Sequence, residues 1–330
     1  MPSPDPQVPG SARRRWLRWF ELGVAVLVLG FLAAYLGRNW AEVRGHDWSI
    51  DWIRLLLASA GTGLAYSGFV ILWRRLLAVL GGALTLADAH RIWYLANLGR
   101  FVPGKVVQLA GTAYLGRAKG VSPTVSLAAM ITAQIFVLGA GLVVAALALP
   151  AAVEVNGRLR LAAVLAAALF LAVLLTPLFG PPYRLALRAL RRGTDWAPIA
   201  WRERLGLTLG YVATWIVLGA SFHLFLTAVT EVPRGSLWPV TGIFATAYLA
   251  GFLAVFVPGG LGVREGALAV LLAAYIPPTI AVAIAFLARI WSTAVELVIA
   301  ALLVGRYGLT DLRAGAESGL RDTETRTIHG

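Results

Sequence analysis

Six stretches of this sequence stay apolar for about the thickness of a bilayer. They are Trp19–Leu36, Leu55–Trp73, Val125–Leu149, Leu161–Phe179, Leu205–Val229 and Ile280–Val304. A helix needs roughly 20 residues to cross the hydrocarbon core. In lipid, an open chain satisfies its backbone polar groups only as a helix. Composition agrees: 59% of the 330 residues are hydrophobic, 14% are charged, and the mean hydropathy is +0.76. A soluble domain carries about 25% charged residues. The chain reads as an all-α, polytopic integral membrane protein. There are no cysteines, which excludes disulfides and thiolate metal sites. The net charge of +13 is almost all arginine. It lies beside apolar runs, so it reads as loop charge at a membrane, and nucleic acid is not an expected partner. The N-terminus, "MPSPDPQVPGSARRRW", is Pro-rich and then basic, with no small-residue cleavage site after the first apolar run. It reads as a retained anchor.

Two further stretches are apolar but broken. Leu76–Leu115 is interrupted by Asp88, His90, Arg91, Arg100, Pro103, Gly104 and Lys105, and Val240–Ile276 by Pro258, Gly259, Gly260, Arg264 and Glu265. Each reads as two short helices meeting at Pro-Gly. Suppose both enter and leave on one side of the membrane and the N-terminus is cytoplasmic. Then, leaving aside the last ten residues and the broken stretches themselves, sixteen Arg and Lys face the cytoplasm and six face outward. That is the expected bias for a bacterial plasma (inner) membrane protein. Both termini are then cytoplasmic, and Ser236 lies outside.

The breaks repeat. At an offset of 155, Phe101-Val102-Pro103-Gly104 falls on Phe256-Val257-Pro258-Gly259, Trp93 on Tyr248, and Gly111 on Gly266. The spans keep the same order around both breaks. The expected organisation is a disordered basic tail over 1–18, a single transmembrane domain over 19–305, and a short cytoplasmic tail over 306–330. Within the domain, repeat one covers 19–149 and repeat two covers 161–304. Each has three spanning helices plus a re-entrant helical pair, and an odd number of spans makes the two repeats inverted in topology. Paired Pro/Gly-interrupted segments in two inverted halves point to a transport site near the bilayer midplane.

Charge inside the membrane is costly and is read as functional. Candidate substrate-binding residues are therefore Arg100, Pro103, Gly104, Lys105 and Gln108 around the first break, and Pro258, Gly259, Gly260, Arg264 and Glu265 around the second. Helix N-termini after such breaks favour anions. The last span adds Arg289 and Glu296, which share a helix face with Ser292 and Thr293. Two turns separate Arg289 from Glu296, about 10 Å, so each needs another partner. The offset lays Arg289 over Gln134, the one strongly polar side chain of its span. Arg264, Glu265, Arg289 and Glu296 are expected to form one polar network. His223 reads as a packing residue, and "GTGLAYSG" from Gly61 to Gly68 as a helix-packing face. No metal cluster, nucleophile elbow or phosphate loop is legible, so the chain is expected to be no enzyme and to use no cofactor.

The stretches "NLGRFVPGKVVQLAGTAYLGRAKGVS" and "FVPGGLGVREGALAVLLAAYIPPTIAVAIAFLARIW" together resemble the transmembrane, flippase-like region of bacterial lysylphosphatidylglycerol synthases and their stand-alone relatives. The resemblance covers nearly the whole chain. It implies movement of an anionic or aminoacylated phospholipid between leaflets. The chain ends about 25 residues after its last span, so the soluble aminoacyl-transferase domain of the full synthases is expected to be absent. Expected partners are membrane lipids, an anionic phospholipid headgroup among them, with a second copy of the chain or a separate transferase as further candidates. Two other readings stay open: a secondary transporter of a small anionic solute, and a non-transporting subunit of a glycosyl- or aminoacyl-transferase.

Overall fold

The computed structural model describes residues 23, 30–99, 106–149, 157–176, 199–254 and 257–307. The expected tail 1–18 and residues 308–330 lie outside the described residues. So do Arg100, Pro103, Gly104 and Lys105. Among the described residues the secondary structure is helical throughout. Four helices are long and apolar enough to cross a membrane: Trp52–Val79, Pro123–Ala148, Trp201–Val229 and Pro278–Leu303. The expected span Leu161–Phe179 is seen as the helix Gly157–Leu175, and residues 177–179 fall outside the description. Of the expected span Trp19–Leu36, residues 30–36 are helical.

Each broken stretch folds as a pair of short helices. Leu86–Leu98 and Val106–Ala118 form the first hairpin, and Leu237–Leu253 and Val263–Leu272 form the second. Within each, the two arms pack against one another. Local sequence fixes where the helices start. Thr85 accepts a hydrogen bond from the Asp88 N–H at 3.1 Å, and Ser122 stands before Pro123 at the first helical position. Both are common ways to satisfy or avoid orphan N–H groups at a helix start. Pro278 opens the last helix in the same way, 155 positions after Pro123.

The correspondence extends to packing. Trp52–Val79, the first hairpin and Pro123–Ala148 match, in order, Trp201–Val229, the second hairpin and Pro278–Tyr307. Wherever two of these elements pack closely, their counterparts in the other half pack as well. The counterpart helices Trp52–Val79 and Trp201–Val229 pack directly and run antiparallel. At one end Arg75 meets Glu203 at 2.9 Å. In the middle Gly68 faces Thr214 and Gly61 faces Ser221. At the other end Arg54 donates to the Thr227 carbonyl at 3.1 Å, and the Asp51 N–H donates to the Ala228 carbonyl at 2.9 Å. Glycine at 61 and 68 lets the backbones approach closely, which is what drives helix association in lipid. The exposed Arg75–Glu203 pair adds only about 0.5 kcal/mol. The faces turned away from this core are apolar and exposed, as at Ile53, Leu57 and Leu64, which suits contact with lipid tails.

His223 is placed by Ser236, whose Oγ lies 3.1 Å from Nε2, in keeping with a packing role. Ser236 itself is 2% exposed, so the exposed neighbour Arg234 is the better topological probe. Single cysteines at Arg202 and Arg234 flank the helix Trp201–Val229 in a chain with no native cysteine. They are expected to react with an impermeant maleimide from opposite sides of a sealed vesicle. Reaction of both from one side would overturn the crossing.

Candidate functional site

The second break is written by glycine. Gly259, Gly260 and Gly262 have φ of 60°, 66° and 84°, a region that side chains with a Cβ rarely adopt. At Gly260 the constraint is double, because a Cβ there would lie 2.5–2.8 Å from the backbone of Gly251 on the opposite arm. Pro258–Gly260 forms a single 3-10 turn, and the chain re-enters a helix at Val263. Glu265 completes that start. Its Oε2 accepts from the Gly262 N–H at 2.6 Å, so the carboxylate caps the helix it belongs to. The same carboxylate, 2% exposed, has Oε1 3.6 Å from Arg289 Nε on the last helix. That is an ion-pair distance, longer than a hydrogen bond. Arg289 also donates through Nη2 to the Gly259 carbonyl at 3.3 Å. The last helix thus grips both sides of the break.

Arg264, one residue before Glu265, turns the other way. Its guanidinium carbon lies 5.2 Å from the Phe244 ring centre and 5.0 Å from that of Tyr248, both on the facing arm. These are cation–π distances.

A second polar cluster lies at the first hairpin. Glu296, 1% exposed, accepts a hydrogen bond from the Asn97 side-chain amide. Asn97 is itself buried, and its Oδ1 accepts from Gln108 Nε2 at 2.9 Å. Gln108 stands on the opposite arm of this hairpin, so the chain Gln108–Asn97–Glu296 ties both arms to the last helix. The stripe Arg289, Ser292, Thr293 and Glu296 faces the protein interior, with Ile290, Val298 and Leu302 exposed on the other side.

Of the single network expected from the sequence, the described contacts join Glu265 to Arg289, set Arg264 against Phe244 and Tyr248, and join Glu296 to Asn97 and Gln108. Arg289 turns to the second hairpin and Glu296 to the first, because seven helical residues hold their side chains too far apart to meet. Gln134 is half-buried on the helix Pro123–Ala148. At the matching positions of the first half stand Leu109, Ala110 and Gln134 in place of Arg264, Glu265 and Arg289. The ion pair belongs to the second half alone.

Three residues of the candidate site carry no clear sequence signal. Asn97 is one, and its only advance sign is a polar amide one turn before a helix break. Phe244 and Tyr248 are the others; Tyr248 aligns with Trp93 in the repeat, but nothing marks either as a partner of an arginine. Outside the site, Arg204 sits among loop charges in the sequence but is buried. It donates to the Leu174 carbonyl at 2.9 Å and to the Thr176 carbonyl, at the C-terminal end of Gly157–Leu175. A cation there suits the helix dipole.

The family model described as the lysylphosphatidylglycerol synthase TM region matches residues 18–300. The chain belongs to this family. The match takes in both hairpins and both polar clusters of this lysylphosphatidylglycerol synthase transmembrane-region protein. A search of curated proteins finds no match.

Gly260→Ala is expected to destabilise this family member by about 2 kcal/mol or more, since it adds both left-handed strain and a backbone clash. The measurement is thermal unfolding in detergent. Asn97→Leu, which removes a donor from buried Glu296 and an acceptor from Gln108, is expected to cost about 1–3 kcal/mol. Gln108→Leu, at the outer end of the chain, is expected to cost less.

Proposed function

We propose that this chain is a lipid translocase of the bacterial plasma membrane. It moves a phospholipid-type substrate with an anionic or aminoacylated headgroup between leaflets. One observation carries this reading. Two helical hairpins broken at Pro-Gly occupy matching positions in two halves, and the counterpart helices of those halves run antiparallel. In a membrane, antiparallel counterparts make an inverted repeat, with re-entrant hairpins entering from opposite faces. Such a pair supports alternating access around a fixed site near the midplane.

The chemistry fits a lipid headgroup. A charge at the bilayer centre costs roughly 2.5–3.5 kcal/mol even on insertion scales, yet the second hairpin keeps Arg264 and the buried Glu265, and the last helix keeps Arg289 and the buried Glu296. Cationic and donor groups at the second break suit a phosphate, and the acyl tails remain in lipid beside the apolar outer faces. In this reading Arg100 and Lys105 add positive charge at the first break. Both termini are cytoplasmic, and the chain performs no chemistry on the lipid. A separate transferase makes the aminoacylated form.

The test is a leaflet-resolved assay with purified protein in liposomes. Fluorescent phosphatidylglycerol in the outer leaflet is expected to become protected from an impermeant quencher faster than in empty liposomes. Fluorescent phosphatidylcholine is expected to lag behind it. No acceleration for any anionic lipid, together with uptake of a small soluble anion, would replace this reading with the solute transporter.

A further inference from the structure

Two arginines stand at the second break, and they are held by different kinds of partner. Arg289 is held by a carboxylate and a carbonyl. Its Nε faces the Glu265 carboxylate at 3.6 Å, and its Nη2 donates to the Gly259 carbonyl at 3.3 Å. Arg264 is held by aromatic rings. The rings of Phe244 and Tyr248 lie 5.2 and 5.0 Å from its Cζ. They stand one turn apart on the arm Leu237–Leu253 and form a shelf. A cation–π contact engages the charge of the ion without an ion pair and leaves its N–H donors for another partner. Arg264 makes no hydrogen bond or ion pair among the described residues, and it is only partly buried.

The shelf is fixed from behind. Tyr248 meets Trp215 edge-on at 5.0 Å, and Phe244 packs on Phe222 at 4.7 Å. Trp215 in turn donates to the Val137 carbonyl at 2.9 Å. Gly251 brings the arginine close to the shelf, because a Cβ at this position would lie 2.7 Å from the Cβ of Arg264. An aromatic shelf holds a cation in place without neutralising it. An acidic partner such as Glu265 holds a cation and neutralises it.

We infer that the two arginines divide the work of the proposed translocation site. Arg264 is the residue that contacts the anionic group of the substrate. Its N–H donors fit two non-bridging oxygens of a phosphodiester. Arg289, with Glu265, is a positioning pair that fixes the shape of the break. This assignment rests on the translocase reading for its substrate, but the geometry assigns the two roles separately from any transport.

The test begins with binding. Unfolding of the purified protein in dodecylmaltoside is followed with added dioleoylphosphatidylglycerol, dioleoylphosphatidylcholine or inorganic phosphate. Phosphatidylglycerol is expected to raise the midpoint of the wild type, and Arg264→Met to abolish that rise. Arg264→Lys is expected to need about tenfold more lipid for the same rise, since lysine lacks the bidentate fork. The double variant Glu265→Gln with Arg289→Met removes the ion pair but leaves a side-chain carbonyl oxygen that can accept from the Gly262 N–H. It is expected to unfold at a lower temperature without lipid and still to show the rise with phosphatidylglycerol. Tyr248→Leu keeps the arginine and removes half of its shelf; a weakened rise is expected even if Arg264→Met fails to fold. A full rise with Arg264→Met or with Tyr248→Leu would overturn the assignment, as would loss of the rise in a folded, monodisperse Glu265→Gln/Arg289→Met protein. A wild type that binds phosphatidylglycerol through Arg264 but moves no lipid would refute translocation and leave the assignment standing. A rise given by inorganic phosphate alone, and lost with Arg264→Met, would support the assignment with a free anion as the ligand.

Discussion

A broken helix in lipid has backbone groups that water cannot reach, and this protein depends on meeting that demand at the second break. Backbone bonds meet part of it and one carboxylate helps to meet the rest. Glu265 caps the N-terminus of its own helix through Gly262 and draws Arg289 from the last helix, and Arg289 then reaches the Gly259 carbonyl. Three left-handed glycines make the turn possible, and the close approach of Gly251 and Gly260 makes it compact. If Glu265 were lost, the Gly262 N–H and Arg289 would each lose a partner at the same place. The stability of the hairpin and the poise of the site are therefore one problem with one solution.

The two halves share an architecture and differ in chemistry. Their helices correspond in order and in packing, yet the second half holds an ion pair and an arginine beside aromatic rings where the first has Leu109, Ala110 and Gln134. In return the first hairpin holds Asn97 and Gln108 against Glu296, while Gly141 stands at the position matching Glu296. The amide groups of Asn97 and Gln108 thus belong to the first half, and the carboxylates of Glu265 and Glu296 and the guanidinium groups of Arg264 and Arg289 to the second.

The sequence made the frame legible because bilayer thickness and the backbone demand leave few options. Apolar length marked the long helices, and Pro-Gly marked both hairpins, since each breaks a helix for a local reason. The spacing of Arg289 and Glu296 showed that they must look elsewhere for partners. It could not say where, because those partners sit on hairpins that only the fold brings near. Asn97 and Glu296 are 199 positions apart, and an asparagine in a helix has no local feature that betrays such a contact. The shelf under Arg264 was hidden for another reason: aromatic residues abound in membrane helices, and only tertiary packing selects Phe244 and Tyr248. Arg204 looked like one more loop charge until the end of a distant helix arrived beside it.

The last helix carries one anchor for each hairpin, two turns apart on the same face. It joins the two hairpins as a shaft would. Turning it about its own axis would withdraw both side chains together and loosen both hairpins in one movement. Tilting it about a point between them would press one anchor home while lifting the other. A rigid rod with two grips can therefore work as a rocker, in which hold on one side is released as hold on the other tightens.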